Sequence, residues 1–190
     1  VGPSGSGKST LLNQLAGREK PTKGEVYIGN RNISQMNENE LAEFRQKYLG
    51  FVFQSYNLLS TFTAEENVAL PLMFKGVDKK NRNRMAREEL KRMDLLSHAK
   101  HKPTEMSGGQ QQRVGIARAF VGSPKVIFAD EPTGNLDSRT TKLVMDAMLG
   151  YAREEGITFV MVTHDNDLAR VADRILTIRD GRVLSDKLNT

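Results

Sequence analysis

Three short stretches of this 190-residue chain carry residue types suited to chemistry on phosphate. The first is the opening, Gly2-Pro3-Ser4-Gly5-Ser6-Gly7-Lys8-Ser9, which fits the pattern G-x-x-x-x-G-K-[ST]. Glycines at those places let backbone N–H groups turn inward on phosphate oxygens, and the helix expected to follow presents its positive end. Lys8 is expected to reach the β- and γ-phosphates, the Ser9 hydroxyl to hold Mg²⁺, and Thr10 to support the α-phosphate. The second stretch is Asp130-Glu131, two carboxylates directly after the apolar run Val126 to Ala129. A buried strand would deliver them to its C-terminal edge, where open α/β sheets bind ligands. There Asp130 suits the surroundings of Mg²⁺, and Glu131 suits a base that polarises an attacking water. The third is Met106 to Arg113, MSGGQQQR. A serine and paired glycines at a helix start make a second anion-binding N-terminus, which makes sense if it serves another subunit's nucleotide.

Elements able to position these residues are legible around them. Ser9 to Ala16 reads as a helix closed by Gly17, and Gly24 to Asn30 as a short alternating strand. Glu38 to Lys47 is helical, and Leu49 to Gln54 is a short apolar strand with a polar end. Helix signals dominate from Ala64 to Leu96, with interruptions expected at Pro71 and Gly76. Ser107 to Val121 is a further helix, capped by its serine. Lys125 to Asp130 and Ile157 to Asp165 are nearly continuous apolar runs, as expected of strands buried on both faces of a parallel sheet. Ser138 to Glu154 supplies the helix between them, and a last hairpin turns at Asp180-Gly181. The pattern is α/β: a P-loop fold with a mainly parallel sheet flanked by helices and an inserted helical subdomain. The division expected is one domain over 1–190, with a core of 1–57 and 122–190 and a helical subdomain of 58–121.

Composition narrows the class. The chain is 38% hydrophobic and 27% charged, ordinary for a globular domain. It holds no run near the roughly 20 apolar residues of a bilayer span. With no cysteine, a disulfide framework and a thiolate metal site are excluded. The net charge of +5 is uneven: Lys75 to Lys102 holds ten Lys or Arg against Asp78, Glu88, Glu89 and Asp94, a local excess of +6. Such a segment can suggest nucleic acid or anionic lipid, or a solvated helix face, since Arg84 to Lys91 also carries acids at helical spacing.

The ordered set Gly2 to Ser9, Gln54, Ser107-Gly108-Gly109-Gln110, Asp130-Glu131, Asp137 and His164 resembles the ATP-binding subunit of ABC transporters over essentially the whole chain. The wording around Gln54 and in ADEPTGNLD resembles the lipoprotein-release and macrolide-export subfamily. That resemblance implies a role for each position. Gln54 would touch Mg²⁺ or water and link the site to the helical subdomain, which makes Ser9, Gln54 and Asp130 the metal set. Ser107, Gly108, Gly109 and Gln110 would contact the partner subunit's γ-phosphate. Asp137 would lie in a loop crossing the dimer interface, although alone it reads as a helix cap. His164 would be a switch at the γ-phosphate and, with Glu131 and Gln54, complete the catalytic set. By the same resemblance the chain is an ATPase using ATP and Mg²⁺. It would pair with a second ATPase domain around two ATP and drive a membrane permease from the cytoplasmic face of the inner membrane, with no nucleic acid expected.

Two departures stand out. Met106 replaces the usual leucine, an apolar swap of similar volume. No strand and no adenine-stacking aromatic precede the P-loop, so the chain is expected to lack some of its front. A soluble relative acting on nucleic acid or ribosomes is the alternative. Against it, Lys8 to Ser107 holds no sustained heptads of a long coiled coil, and one ATPase domain is seen rather than two.

Overall fold

The structure, a computed structural model, describes Val1 to Asn189. In chain order its elements begin with α1 (Lys8–Leu15), β1 (Tyr27–Ile28), β2 (Arg31–Asn32), α2 (Glu38–Tyr48), β3 (Leu49–Phe53), α3 (Ala64–Phe74) and α4 (Lys79–Arg92). They continue with α5 (Gly108–Phe120), β4 (Val126–Asp130), α6 (Ser138–Glu154), β5 (Thr158–Val162), α7 (Asn166–Ala169), β6 (Arg174–Arg179) and β7 (Arg182–Leu188). The chain forms two compact units, one of Val1–Leu41 with the chain from Met161 on, the other Ala42–Val160.

In the first unit, α1 buries Leu12 and is followed by Ala16, also buried. The strand expected over Gly24 to Asn30 is instead a two-residue arm, β1, folded back on β2 with Tyr27 opposite Asn32. Gly29, at φ 57°, turns the chain before a longer strand can form. β6 and β7 make the expected hairpin, with Asp180 and Gly181 both at positive φ, as a tight primed turn demands. Val1 lies alongside β6: its N–H donates to Leu176 O at 2.7 Å, and its carbonyl accepts from Ile178 N–H at 2.8 Å. That is the bonding of a parallel bridge, and it sets where Gly2 begins.

In the second unit β3 and β4 are parallel, in register from Leu49 opposite Val126 to Phe53 opposite Asp130, and the sheet order is β3-β4-β5. β4 is buried along its middle as expected, but β5 is exposed at Thr158 and only half-buried from Phe159 to Met161. It is one of the two outer strands, and β3, the other, is covered by α5 and largely buried. α5 crosses β3 so closely that a Cβ on Gly50 would stand 2.5 Å from the Ala119 carbonyl oxygen. Glycine is required there by space. α3, α4 and α5 pack on one another, and α3 begins at a capping box of Thr63 and Glu66. Pro71 does not interrupt α3, because packing against α4 and α5 outweighs one lost hydrogen bond; the break comes at Gly76, φ 75°. Among the described residues no helix is long and apolar enough to cross a membrane.

A buried polar cluster ties α4 to α6. Tyr151 donates its hydroxyl to Glu89 Oε1 at 2.7 Å, and its ring stacks on Phe120 with centroids 4.4 Å apart. Arg92 covers the other side at 4.5 Å and pairs with Glu155 at 3.3 Å. Burial pushes the Glu89 carboxyl above its usual range, opposed by the Tyr151 hydrogen bond and the Arg92 charge and reinforced by Glu155 and Glu88. A carboxyl whose pKa is raised by folding binds more protons folded than unfolded, so its contribution to stability falls as pH rises from about 4.3 through the raised value. The melting temperature of wild type minus that of Glu89→Gln should therefore be larger at pH 4 than at pH 7. A difference that does not change with pH would mean that Glu89 titrates normally.

Candidate nucleotide-binding site

The loop ahead of α1 is tightly built. Gly2 has φ 150°, and a Cβ there would lie 2.0 Å from the Ile178 carbonyl oxygen, so only glycine fits beside β6. Ser6 N–H bonds back to Pro3 O at 3.3 Å, and Gly181, in the β6–β7 turn, donates its N–H to Ser6 O at 3.0 Å. Gly7, left-handed at φ 91°, starts α1 without a side-chain cap, so the helix's positive end is not neutralised by its own chain. Lys8 is buried, and its ammonium donates to the carbonyls of Gly2 and Pro3 at 2.8 Å each. Its charge is thus held against the loop rather than out in solvent. The Ser6 hydroxyl is buried and has no hydrogen-bond partner among the described residues. An orphaned hydroxyl, an uncapped helix start and a fixed ammonium in one loop fit a phosphate chain. Pro3, Ser4, Gly5, Ser9 and Thr10 are exposed. His164 is also exposed, after the buried Thr163 and before Asp165, which caps α7.

The second unit carries the other expected residues. Because Phe53 pairs with Asp130, Gln54 and Glu131 leave adjacent parallel strands in step. Glu131 has φ 48°, a left-handed conformation that is uncommon without glycine and that turns the chain sharply at the strand's end. Asn135 bridges back to Gln54: its Nδ2 donates to Gln54 O at 3.0 Å, and its Oδ1 accepts from Gln54 Nε2 at 3.5 Å. Gln54, Asp130 and Glu131 are therefore brought together at one sheet edge.

Ser107 and Gln110 close a capping box at the start of α5, with Ser107 N–H to Gln110 Oε1 at 2.8 Å and Gln110 N–H to Ser107 Oγ at 3.3 Å. Gly108 and Gly109 form the first turn, and Met106 before them is buried, which an apolar side chain there allows. Asp137 caps α6, accepting from Arg139 N–H, Thr140 N–H and the Thr140 hydroxyl, the last at 2.6 Å. The Thr140 hydroxyl bond, then its amide, holds the Asp137 carboxyl below the usual range. The cap that the residue suggests by itself is what the chain makes of it.

Among the described residues no cluster of three or more His, Asp or Glu could hold a metal alone. Ser9 in the first unit, and Gln54 and Asp130 in the second, each carry an oxygen of the hard type that Mg²⁺ takes.

Besides Asn135, two more positioning residues are not evident from residue type. Gln112, fully buried on α5, donates to the carbonyl of Pro132, next to Glu131. Its one signal is spacing, since 112, 116 and 120 form one stripe with the buried Ile116 and Phe120. Arg118, on the same helix, donates to Asn57 O at 2.6 Å and Tyr56 O at 2.8 Å in the loop after Gln54. Tyr56 and Asn57 are both left-handed, at φ 60° and 48°, and nothing in their side chains announces it.

The ABC transporter family model matches residues 1–134. An uncharacterized ABC transporter ATP-binding protein of Methanocaldococcus jannaschii, MJ1508, is 52% identical over 97% of this chain and 82% of its own length. The lipoprotein-releasing system ATP-binding protein LolD 1 of Rhodospirillum rubrum is 46% identical over 97% and 82%. The macrolide export ATP-binding/permease protein MacB of Vibrio parahaemolyticus is also 46% identical, over the whole chain but only 29% of MacB. Among solved structures, the dimeric post-hydrolysis state of the ATP-binding cassette MJ0796, bound to ADP and Pi, superposes with a TM-score of 0.91 at 46% identity, covering 100% of this chain and 83% of that one. Loop, sheet edge and kinship agree, and the chain belongs to the ABC transporter family as one of its ATP-binding domains.

Proposed function

We propose that this chain binds Mg-ATP through Gly2 to Thr10 and hydrolyses it as half of a dimer that drives a membrane permease. Lys8 and the amides of the loop hold the β- and γ-phosphates, and Thr10 supports the α-phosphate. Mg²⁺, taken by Ser9, Gln54 and Asp130, would neutralise charge between the β- and γ-phosphates. Glu131 accepts a proton from water as its oxygen attacks the γ-phosphorus, ADP leaves, and phosphate is released; Gln54 orients that water and His164 contacts the γ-phosphate. Ser107 to Gln110 meet the partner's γ-phosphate, and Asp137 crosses to the partner. The division into a core of 1–57 and 122–190 and a helical subdomain of 58–121 belongs to the same reading. So does a place on the cytoplasmic face of the inner membrane, where the permease lies. Every relative named above is a transporter protein, which speaks for transport and against the nucleic-acid alternative.

The observation that carries the reading is the loop itself, with Lys8 fixed over the carbonyls of Gly2 and Pro3 and Ser6 left unpartnered. Lys8→Ala should weaken ATP binding roughly 10- to 100-fold by calorimetric titration, the worth of a charge-assisted hydrogen bond. Melting without nucleotide checks that the variant is folded. Equal ATP affinity in a folded variant would refute the phosphate site.

A further inference from the structure

The excess positive charge of residues 75–102 is not scattered over the surface. Lys80, Arg84, Arg87 and Lys91 recur at intervals of four, three and four along α4, which places them on one stripe of the helix, while Ala86, Glu89 and Leu90 fill its buried side. The eleven helical rises from Lys80 to Lys91 give that stripe a length of about 16 Å. It borders a cleft of about 770 Å³, which Leu96 and Lys100 also line.

The cleft is built around Glu65, whose side chain is only 4% exposed. Its Oε2 pairs with Lys100 at 3.1 Å and with Arg87 at 3.4 Å. One carboxylate thus gathers two cations and leaves one in surplus. Arg84 is paired with Glu88 at 2.8 Å, on the exposed surface where such a pair is weak. Lys80 and Lys91, at the two ends of the stripe, have no ion-pair partner among the described residues. An exposed apolar side chain, Leu96, lies in the cleft just beyond α4, and Met73 and Phe74 are exposed at the end of α3, the helix that packs on α4.

We propose that this α4 stripe binds the phosphate headgroups of an anionic lipid surface. A single phosphate would engage one or two of these cations, whereas a row about 16 Å long, open to solvent, matches an array of headgroups. Long Lys and Arg side chains beside the exposed Leu96 suit a headgroup boundary, where apolar stems enter and charged ends meet phosphate. Single-stranded nucleic acid fits less well, because no aromatic lines the cleft for bases to stack on. The proposed lipid contact uses none of the residues assigned to nucleotide binding and does not depend on that assignment.

Flotation with vesicles tests it on the whole chain, with ADP in excess so that the P-loop is filled. Vesicles of phosphatidylcholine and phosphatidylglycerol at about 2:1 should carry the protein, and pure phosphatidylcholine should not. Binding should weaken as salt is raised through the range where the screening length falls below about 10 Å. Lys80→Glu with Lys91→Glu should weaken vesicle binding by at least roughly 30-fold, while Lys23→Glu with Lys187→Glu, a reversal of equal charge elsewhere, should change it little. The Gln versions of the α4 pair give an intermediate loss and serve if the Glu pair does not fold. Equal binding by the α4 pair and the control pair overturns the proposal. So does binding of tripolyphosphate or a polyglutamate peptide in the absence of vesicle binding, which would assign the cleft to a free phosphate compound or to an acidic protein segment.

Discussion

Glu131→Gln should lower ATP turnover roughly 10²- to 10⁴-fold while leaving ATP binding intact. The two side chains have nearly the same shape, so the left-handed turn at φ 48° and the bond from Gln112 to Pro132 O need not change. What is lost is a group able to take a proton from water as the γ-phosphorus is attacked. The ground-state contacts of Lys8 and the loop are on other residues, so affinity should be retained. A bound nucleotide that is not hydrolysed should also prolong the dimer, which gel filtration with ATP would show as a persistent doubled mass. The measurement is phosphate release under saturating Mg-ATP, beside calorimetric ATP titration. Turnover near wild type would move the base elsewhere, with His164 the first residue to test.

What was legible in the sequence, and what was not, divides along a physical line. Local signals held: Ser107 caps α5, Asp180-Gly181 turns the last hairpin, and the apolar run before Asp130 is a buried strand parallel to β3. These depend on neighbours in the chain, and so they can be read from it. Tertiary effects were hidden. Pro71 looked like a break, yet α3 passes through it because two helices pack against its turn. Ile157 to Asp165 looked as apolar as β4, but its strand β5 is at an outer position and only half-buried, whereas β3 at the other outer position is covered by α5. At the site, residue types marked the P-loop and the carboxylates, because that chemistry needs glycine, lysine and acid at fixed spacing. The supports did not show: Asn135 on Gln54, Gln112 on Pro132 and Arg118 on the loop after Gln54 are polar residues whose partners are main-chain atoms far away in sequence. A carbonyl leaves no mark in the sequence for its partner to match. The basic run of residues 75–102 was visible as composition, but its order into one stripe over a buried Glu65 required the fold.

Activity should be rescued when two inactive chains are mixed. Ser107→Arg places a long cation at the start of α5 and destroys the capping box with Gln110, so each site of its homodimer lacks a working partner signature. Lys8→Ala leaves both P-loops of its homodimer without the ammonium that Gly2 and Pro3 hold in place. In the mixed dimer the two lesions would fall in one composite site, since in the proposed dimer each site joins one chain's P-loop to the other chain's signature. The second site then combines an intact Lys8 with an intact Ser107. Each homodimer should be nearly inactive, and an equal mixture should recover a substantial part of wild-type turnover if one intact site suffices. Random pairing puts about half of all dimers in the mixed state, so recovery is bounded by that fraction and should track it as the ratio is varied. Melting of each variant alone checks that loss of turnover is not loss of fold, a real concern for Ser107→Arg, since a lost cap costs about 1 kcal/mol. If both folded homodimers are inactive and no ratio restores turnover, either the signature acts within its own chain or both sites must be intact. A chain carrying both substitutions separates these, because mixed with wild type it leaves two half-damaged sites if the signature acts in trans, and one intact site if it acts in cis. Acting in trans predicts no activity from those mixed dimers, whereas acting in cis predicts that their wild-type half keeps its own.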